Sequence, residues 1–255
     1  MRLAPKKSLG QHFLVDQNIL GVIERLAQLE STDVVLEVGP GLGVLTRFLA
    51  ERVAFVHAAE LDRRLEEHLP DGERVRVHWG DAMELDIATL EPSPTKLVAN
   101  LPYNIATPLV AETLAVPQLS LWCVMVQREV ADRFFAEPST KAYGAVSVLV
   151  QLAATRTGFH PVSREVFRPR PNVESALVAF ARTGPGADVA TKRIVVAAFS
   201  HRRKTLANAL TLSGLTSRER AVSALDAIGM SAAARAEELA PQQFVALVAA
   251  LEDRA

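Results

Sequence analysis

Apolar positions in the first two thirds of the chain form short runs that stop at Gly, Asn or an acidic residue. The run over 33–38 (Asp33-Val34-Val35-Leu36-Glu37-Val38) predicts a parallel strand buried on both faces. Gly39-Pro40-Gly41-Leu42-Gly43 follows, and Leu42, Leu45, Phe48 and Leu49 then share one helical face. Further strands are predicted over 54–59, ending at Glu60; over 74–78, ending before Gly80-Asp81; over 96–99, ending at Asn100; and over 119–126. Helical patterns lie between most of them. Strands alternating with helices predict an α/β fold with a doubly wound, mostly parallel sheet. The stretches 147–157 and 173–181 are later strand candidates for an antiparallel edge. Arg182-Thr183-Gly184-Pro185-Gly186 reads as a linker. Beyond it the spacing is helical over 189–212, 217–228 and 241–251. The expected organisation is a sheet domain over 1–182 and a small helical domain over 187–255.

With 255 residues, 49% of them hydrophobic and 22% charged, the chain has the make-up of a soluble globular protein with a full core. One cysteine excludes an internal disulfide framework and suits a reducing cytoplasm. Cys123 lies in an apolar run, which favours a buried thiol over a nucleophile. The N-terminus has no apolar signal core, and no apolar run approaches the ~20 residues that span a bilayer. A cytoplasmic protein without membrane or metal partners, and monomeric, is expected. The net charge of −1 hides a polarity. Residues 30–100 carry 7 Lys/Arg against 14 Asp/Glu, whereas residues 156–204 carry 10 against 3. The second block favours a polyanionic partner.

Candidate chemistry sits at the strand ends. In Asn100-Leu101-Pro102-Tyr103, the Asn100 amide oxygen and the Leu101 carbonyl each offer an acceptor for one proton of an exocyclic amine such as adenine N6. That arrangement turns the amine lone pair toward an electrophile. Pro102 stiffens the turn, and Tyr103 offers a flat face to a base taken out of its stack. Gly39 and Gly41 permit a tight turn where an α/β sheet receives a nucleotide-like ligand. Glu60 follows Gly41 by 19 residues and is placed for ribose hydroxyls. Asp81 is placed for an adenine amine. A dinucleotide fingerprint would want its third Gly at Val44, whereas Gly43 comes one residue early and Glu37 lies two residues before the first glycine, so the set suits S-adenosylmethionine better than NAD. Phe167 is a candidate to close on the second face of the base. Lys6, Lys7, Arg168, Arg170, Arg202, Arg203 and Lys204 are candidates for phosphates.

With these residues assembled, the chain resembles the 16S rRNA adenine dimethyltransferase family nearly end to end. The matching segments are Lys6 to Leu14 (KKSLGQHFL), Glu37 to Thr46, Asn100 to Leu109 (NLPYNIATPL), Val126 to Arg133, Phe167 to Ala176 and Phe199 to Asn208. The resemblance implies a sheet of the S-adenosylmethionine-dependent methyltransferase type. It also implies that His12, Leu14, Gly39, Glu60, Asp81 and Asn100 line the cofactor. The family usually has Asn where His12 stands. The implied substrate is 16S rRNA within an immature small ribosomal subunit. Two adjacent adenosines in the loop of its 3′-terminal hairpin would each receive two methyl groups on N6. Three other readings stand beside this one: a related 23S rRNA methyltransferase, a non-enzymatic factor that binds pre-ribosomal RNA, and a dehydrogenase with a similar sheet.

Overall fold

A computed structural model describes residues 6, 11–70 and 72–253. In chain order the elements are β1 (Phe13–Leu14), α1 (Asn18–Ala27), β2 (Val34–Val38), α2 (Val44–Ala50), β3 (Phe55–Glu60), β4 (Val75–Trp79), β5 (Lys96–Asn100), α3 (Ala106–Thr113), β6 (Leu121–Gln127) and α4 (Arg128–Phe134). Then come α5 (Ala145–Ala153), β7 (Ala154–Val162), β8 (Phe167–Arg168), β9 (Ser175–Arg182), α6 (Val189–Ser200), α7 (Leu206–Leu212), α8 (Arg218–Ala227) and α9 (Pro241–Glu252).

The central sheet has the order β4-β3-β2-β5-β6-β9-β7 among the described residues. Strands β4 to β6 of this row run parallel, and β9 joins β6 antiparallel. The order reverses between β2 and β5, the point at which open α/β sheets bind ligands. All five residues of β2 are buried, as a continuous apolar run covered on both faces requires. On one face Ile19, Ile23 and Ala27 of α1 and Leu45 and Leu49 of α2 pack against Val35, Val56, Val98 and Cys123. On β6 and β9, the Trp122 and Phe180 rings stack with centroids 5.3 Å apart.

The chain divides into two compact units, Met1–Ala131 with Thr155–Arg182, and Asp132–Ala154 with Thr183–Ala255. This differs from a division at the linker alone, because Asp132–Ala154 joins the second unit. There the Tyr143 hydroxyl donates to the Leu239 carbonyl at 2.8 Å, and the Phe199 ring meets Tyr143 edge-on. The strand expected to start near Ser147 is instead helix α5, with strand β7 beginning only at Ala154. A continuous apolar run fits either a buried strand or a helix buried all round. Ser147 Oγ accepts from the Gly144 N–H at 3.0 Å, which starts the helix, and α5 packs on α6 and α9. The helical stretch 189–212 breaks at 201–205, so Arg202, Arg203 and Lys204 lie in the turn between α6 and α7. No helix among the described residues is long and apolar enough to cross a membrane.

At the amino end of β5, Lys96 Nζ lies 2.8 Å from Asp33 Oδ2, both side chains being about nine-tenths buried. Nζ also donates to the Gln28 carbonyl. Lys96→Met should therefore leave Asp33 buried without its cation and cost about 3–5 kcal/mol. Urea unfolding of the purified variant measures this, and a loss below about 1 kcal/mol would show the pair to be solvated.

Candidate active site

Register brings the loops together. Val38 pairs with Ala59, Glu60 with Trp79, and Asn100 with Met125, so the parallel strands end side by side. Their loops and the segment around β1 enclose a cavity of about 150 Å³. Gly39 has φ +72°, and a Cβ there would lie 3.1 Å from both Cγ and Cδ of Pro102. Gly41 has φ +58°, and its Cβ would stand 2.9 Å from the Phe13 ring. Both positions favour glycine twice over, by backbone conformation and by close approach.

Four polar side chains are held in fixed orientations. Glu60 is buried; its Oε2 accepts from the Gly41 N–H at 3.1 Å and its Oε1 from the Asp62 N–H at 2.8 Å. Burial raises its pKa against the pull of those N–H groups. The Leu61 N–H adds to that pull, and a carboxylate with about four lone-pair sites still keeps acceptor capacity. Asp81 is exposed and accepts from the Met83 N–H at 2.9 Å through Oδ1, which leaves Oδ2 for a ligand. Asn100 Nδ2 donates to the His12 carbonyl at 3.1 Å. A carbonyl only accepts, so that bond puts the amide oxygen on the opposite side. The Tyr103 hydroxyl pairs with Ser175 Oγ at 2.6 Å, and its ring lies 5.5 Å from the His12 ring at 30°. The His12 ring is fixed in turn by Nδ1, which donates to the Pro169 carbonyl at 2.7 Å.

His12, Leu14, Gly39, Gly41, Glu60, Asp81, Asn100, Leu101 and Tyr103 thus border one cavity. Phe167 does not. Its side chain is fully buried in the core with Leu14, Ile19 and Leu177, because β8 pairs with β1 and turns Phe167 inward opposite Leu14. The expectation that it closes over a base is corrected on that ground. Cys123 is fully buried on β6, and burial pushes its thiol up to about 12, which leaves it unreactive.

The basic candidates are differently placed. Lys6 donates to Asp62 Oδ1 at 3.1 Å, and Lys7 lies outside the described residues. Arg168 donates to the Glu165 and Phe167 carbonyls. Arg170 pairs with Glu165 at 2.7 Å on the surface. Arg202 donates to the Tyr143 carbonyl at 3.0 Å and to Glu237 at 3.3 Å, so it supports its own unit. Arg203 and Lys204 are exposed.

Sequence reasoning gave no role to Phe13 or Asp62. Phe13 packs on Gly41 and sits within the KKSLGQHFL segment, where an aromatic beside Gly-Gln offered a weak signal. Asp62 is buried and accepts from Arg64, Lys6 and Gln11; the Arg64 guanidinium foremost holds its carboxyl well below the usual range. Its signal was the alternation Glu60-Leu61-Asp62 at a strand end. Glu37, singled out in the sequence for lying two residues before Gly39 but given no role there, is fully buried within the cavity lining.

A family model described as ribosomal RNA adenine dimethylase matches residues 2–253. The chain is 48% identical over 253 residues to a protein of Rubrobacter xylanophilus named ribosomal RNA small subunit methyltransferase A, with 95% of this chain and 94% of that protein covered. Among solved structures it resembles a dimethyladenosine transferase from Plasmodium falciparum, with a TM-score of 0.72 and 25% identity over 92% of this chain and 96% of that one. It also resembles the 23S rRNA methyltransferase ErmE, with a TM-score of 0.61 and 27% identity over 94% and 99% of the two chains.

The two glycines yield a structural test. Gly41→Ala forces a Cβ into the Phe13 ring and a side chain into the left-handed region, which costs roughly 1–2 kcal/mol before any clash. Denaturant unfolding should show at least that loss. Gly21→Ala, with open space around its Cβ, should cost nothing or stabilise its helix.

Proposed function

The chain belongs to the ribosomal RNA adenine dimethylase family, and from there we propose the reaction and the part each residue plays in it. It is an S-adenosylmethionine-dependent enzyme that dimethylates adenine N6 in small-subunit rRNA. The finer substrate is a pair of adjacent adenosines in the 3′-terminal hairpin loop of 16S rRNA, within an immature subunit in the cytoplasm. The observation that carries the site assignment is the orientation of Asn100, whose Nδ2 is held by the His12 carbonyl so that Oδ1 remains an acceptor.

The bound cofactor supplies an electrophilic methyl group on a sulfonium. The chain supplies positioning and acceptors. Glu60 has acceptor sites left for ribose hydroxyls, and Asp81 Oδ2 has one for the adenine amine of the cofactor. Asn100 Oδ1 and the Leu101 carbonyl each accept a hydrogen bond from the substrate's N6 amine, which favours the positive charge that grows on N6. Tyr103 stacks on the extruded base, and its hydroxyl bond to Ser175 keeps the ring plane fixed. No strong base is needed, because the N6 proton is acidic once the methyl has transferred. His12 stands where the family usually has Asn, and it acts on the site through its backbone carbonyl as well as its ring.

The sheet unit holds the cofactor, and the helical unit contributes to RNA binding. A related 23S rRNA methyltransferase is the second reading, favoured by the likeness to ErmE. The greater identity to a protein named for the small subunit supports the first.

Methyl transfer from labelled cofactor to under-methylated small subunits, with the nucleoside identified, tests the reaction. Wild type should yield N6,N6-dimethyladenosine. Asn100→Ala should slow transfer by about 10²-fold, the scale for removing one aimed transition-state hydrogen bond. Glu60→Ala should weaken cofactor binding by about 1.5–3 kcal/mol. Tyr103→Ala should weaken base stacking by about 1–3 kcal/mol with cofactor affinity kept. Wild-type rates in both Asn100→Ala and Tyr103→Ala would refute the site.

RNA binding has its own test. Arg203 and Lys204 are exposed, whereas Arg202 supports its unit. A double change of Arg203 and Lys204 to Ala should weaken binding to immature subunits. The slope of log affinity against log salt should become shallower by about 0.7–0.9 for each phosphate that the variant no longer neutralises. An unchanged slope would locate the RNA surface elsewhere.

A further inference from the structure

The helical unit has a second cavity, of about 230 Å³, that the scheme above leaves unused. It lies where α6, α8 and α9 meet the turn between α7 and α8. Ile194 and Val248 are buried along its wall, and Leu215 and Leu251 are half-buried beside them. Three kinds of polar group share that border. Arg193 and Arg220 are exposed cations. Arg220 is fixed by Nη2, which donates to the Leu251 carbonyl at 2.8 Å and leaves the rest of its fork for a ligand. Glu252 is an exposed carboxylate. The Thr216 hydroxyl is buried and has no hydrogen-bond partner among the described residues. Buried hydroxyls left so are uncommon and cost stability. The start of α8 does not account for it, because Ser217 Oγ takes the Arg220 backbone N–H there at 3.2 Å.

We propose that this cavity receives one unpaired nucleotide of the RNA, with a base that carries an exocyclic amine. The proposal rests on the rRNA reading given above. Other occupants satisfy only part of the border. An apolar ligand leaves the Thr216 hydroxyl unpaired and takes water from three charged groups. A simple anion suits the arginines but meets Glu252, of its own sign, and leaves the apolar wall uncovered. A nucleotide uses every part. Two guanidiniums and one carboxylate leave a single positive charge, which one phosphodiester balances. The base covers the apolar wall, and a guanidinium plane stacks on it as on the splayed-out bases of single-stranded RNA. Its amine donates to Glu252, the pairing by which carboxylates read cytosine N4. A turn of about 120° about χ1, from one staggered well to the next, exchanges the Thr216 hydroxyl with its methyl and gives it the ring acceptor beside that amine. Uracil has the same outline with donor and acceptor exchanged, so it sets a carbonyl against Glu252. The nucleotide is not a methylated adenosine, because the cavity belongs to the helical unit and Asn100 to the sheet unit.

Backbone amide shifts of the full chain, saturated with S-adenosylhomocysteine, test the site without RNA. Cytidine 5′-monophosphate should move the amides of Ala190, Leu215 and Thr216, and uridine 5′-monophosphate should bind about tenfold more weakly, the scale for one well-made base contact. Glu252→Gln offers a donor as well as an acceptor and should abolish that preference. Thr216→Val keeps the shape and removes the unpaired hydroxyl, so cytidine 5′-monophosphate should bind about fivefold more weakly while the melting temperature holds or rises. Equal affinity for the two nucleotides in wild type, or a preference that survives Glu252→Gln, overturns the proposal. A lower melting temperature in Thr216→Val would give the hydroxyl a structural role and overturn its part. Shifts as large with inorganic phosphate alone would reduce the site to an anion site and overturn the base. Arg193→Ala should weaken binding to immature small subunits and make the slope of log affinity against log salt shallower by about 0.7, the value for one single-stranded phosphate. Affinity and slope like those of wild type would leave a site for free nucleotides and overturn the RNA assignment. Wild type that fails to bind small subunits would overturn the rRNA reading itself, a result distinct from the nucleotide shifts.

Discussion

The close approach of the Gly39 turn to Pro102 is the constraint on which the site depends. β2 and β5 are neighbours in the sheet but not in the chain, and the crossover reverses between them. The loops after these two strands therefore meet over the same edge. With a Cβ at residue 39 falling 3.1 Å from the proline ring, the loops approach as closely as glycine allows. That approach places Asn100 beside the cofactor turn. The segment around β1 completes the arrangement, since Phe13 packs on Gly41 and the His12 carbonyl holds the Asn100 amide. The backbone thus sets the orientation of the Asn100 amide.

Three carboxyl groups at the ends of β2 and β3 meet burial in three ways. Asp62 accepts from Arg64, Lys6 and Gln11 and stays ionised far below its usual range. Glu60 takes two backbone N–H groups, which partly offset burial and leave acceptor sites toward the cavity. On Glu37 burial outweighs the pull of the Thr46 hydroxyl and the Arg47 charge, and the carboxyl is pushed up to about 8. Asp62 accepts from Lys6 and Gln11 of the N-terminal segment, and Glu60 holds the Gly41 turn.

The basic block reads differently once its side chains are placed. Arg170 and Arg202 face carboxylates, and Lys6 is joined to Asp62. Exposed pairs of this kind are worth little in stability, so phosphates can compete for the arginines at small cost. Arg202 is the exception, because its bond to the Tyr143 carbonyl supports the packing of its own unit. Density of positive charge along a sequence therefore overstates how many of those charges stand free.

Much of this was legible in the sequence. Mostly apolar runs ended by Gly39, Glu60, Gly80 and Asn100 marked the parallel strands and the ends at which their loops meet, because a strand covered on both faces is built largely of apolar residues. Periodicity could not separate strand from helix over 147–153, where nearly every position is apolar or small and only packing on α6 and α9 chose the helix. It could not show that Phe167 turns inward, since the pairing of β8 with β1 joins residues more than 150 apart. Nor could it show that Glu37 Oε2 is buried without a hydrogen-bond partner while Asp62 accepts from three side chains. Local sequence specifies which residues are apolar and where the chain turns. Whether a given charge meets a cation, a carbonyl or nothing is decided by neighbours brought from other strands, and only the tertiary structure supplies them.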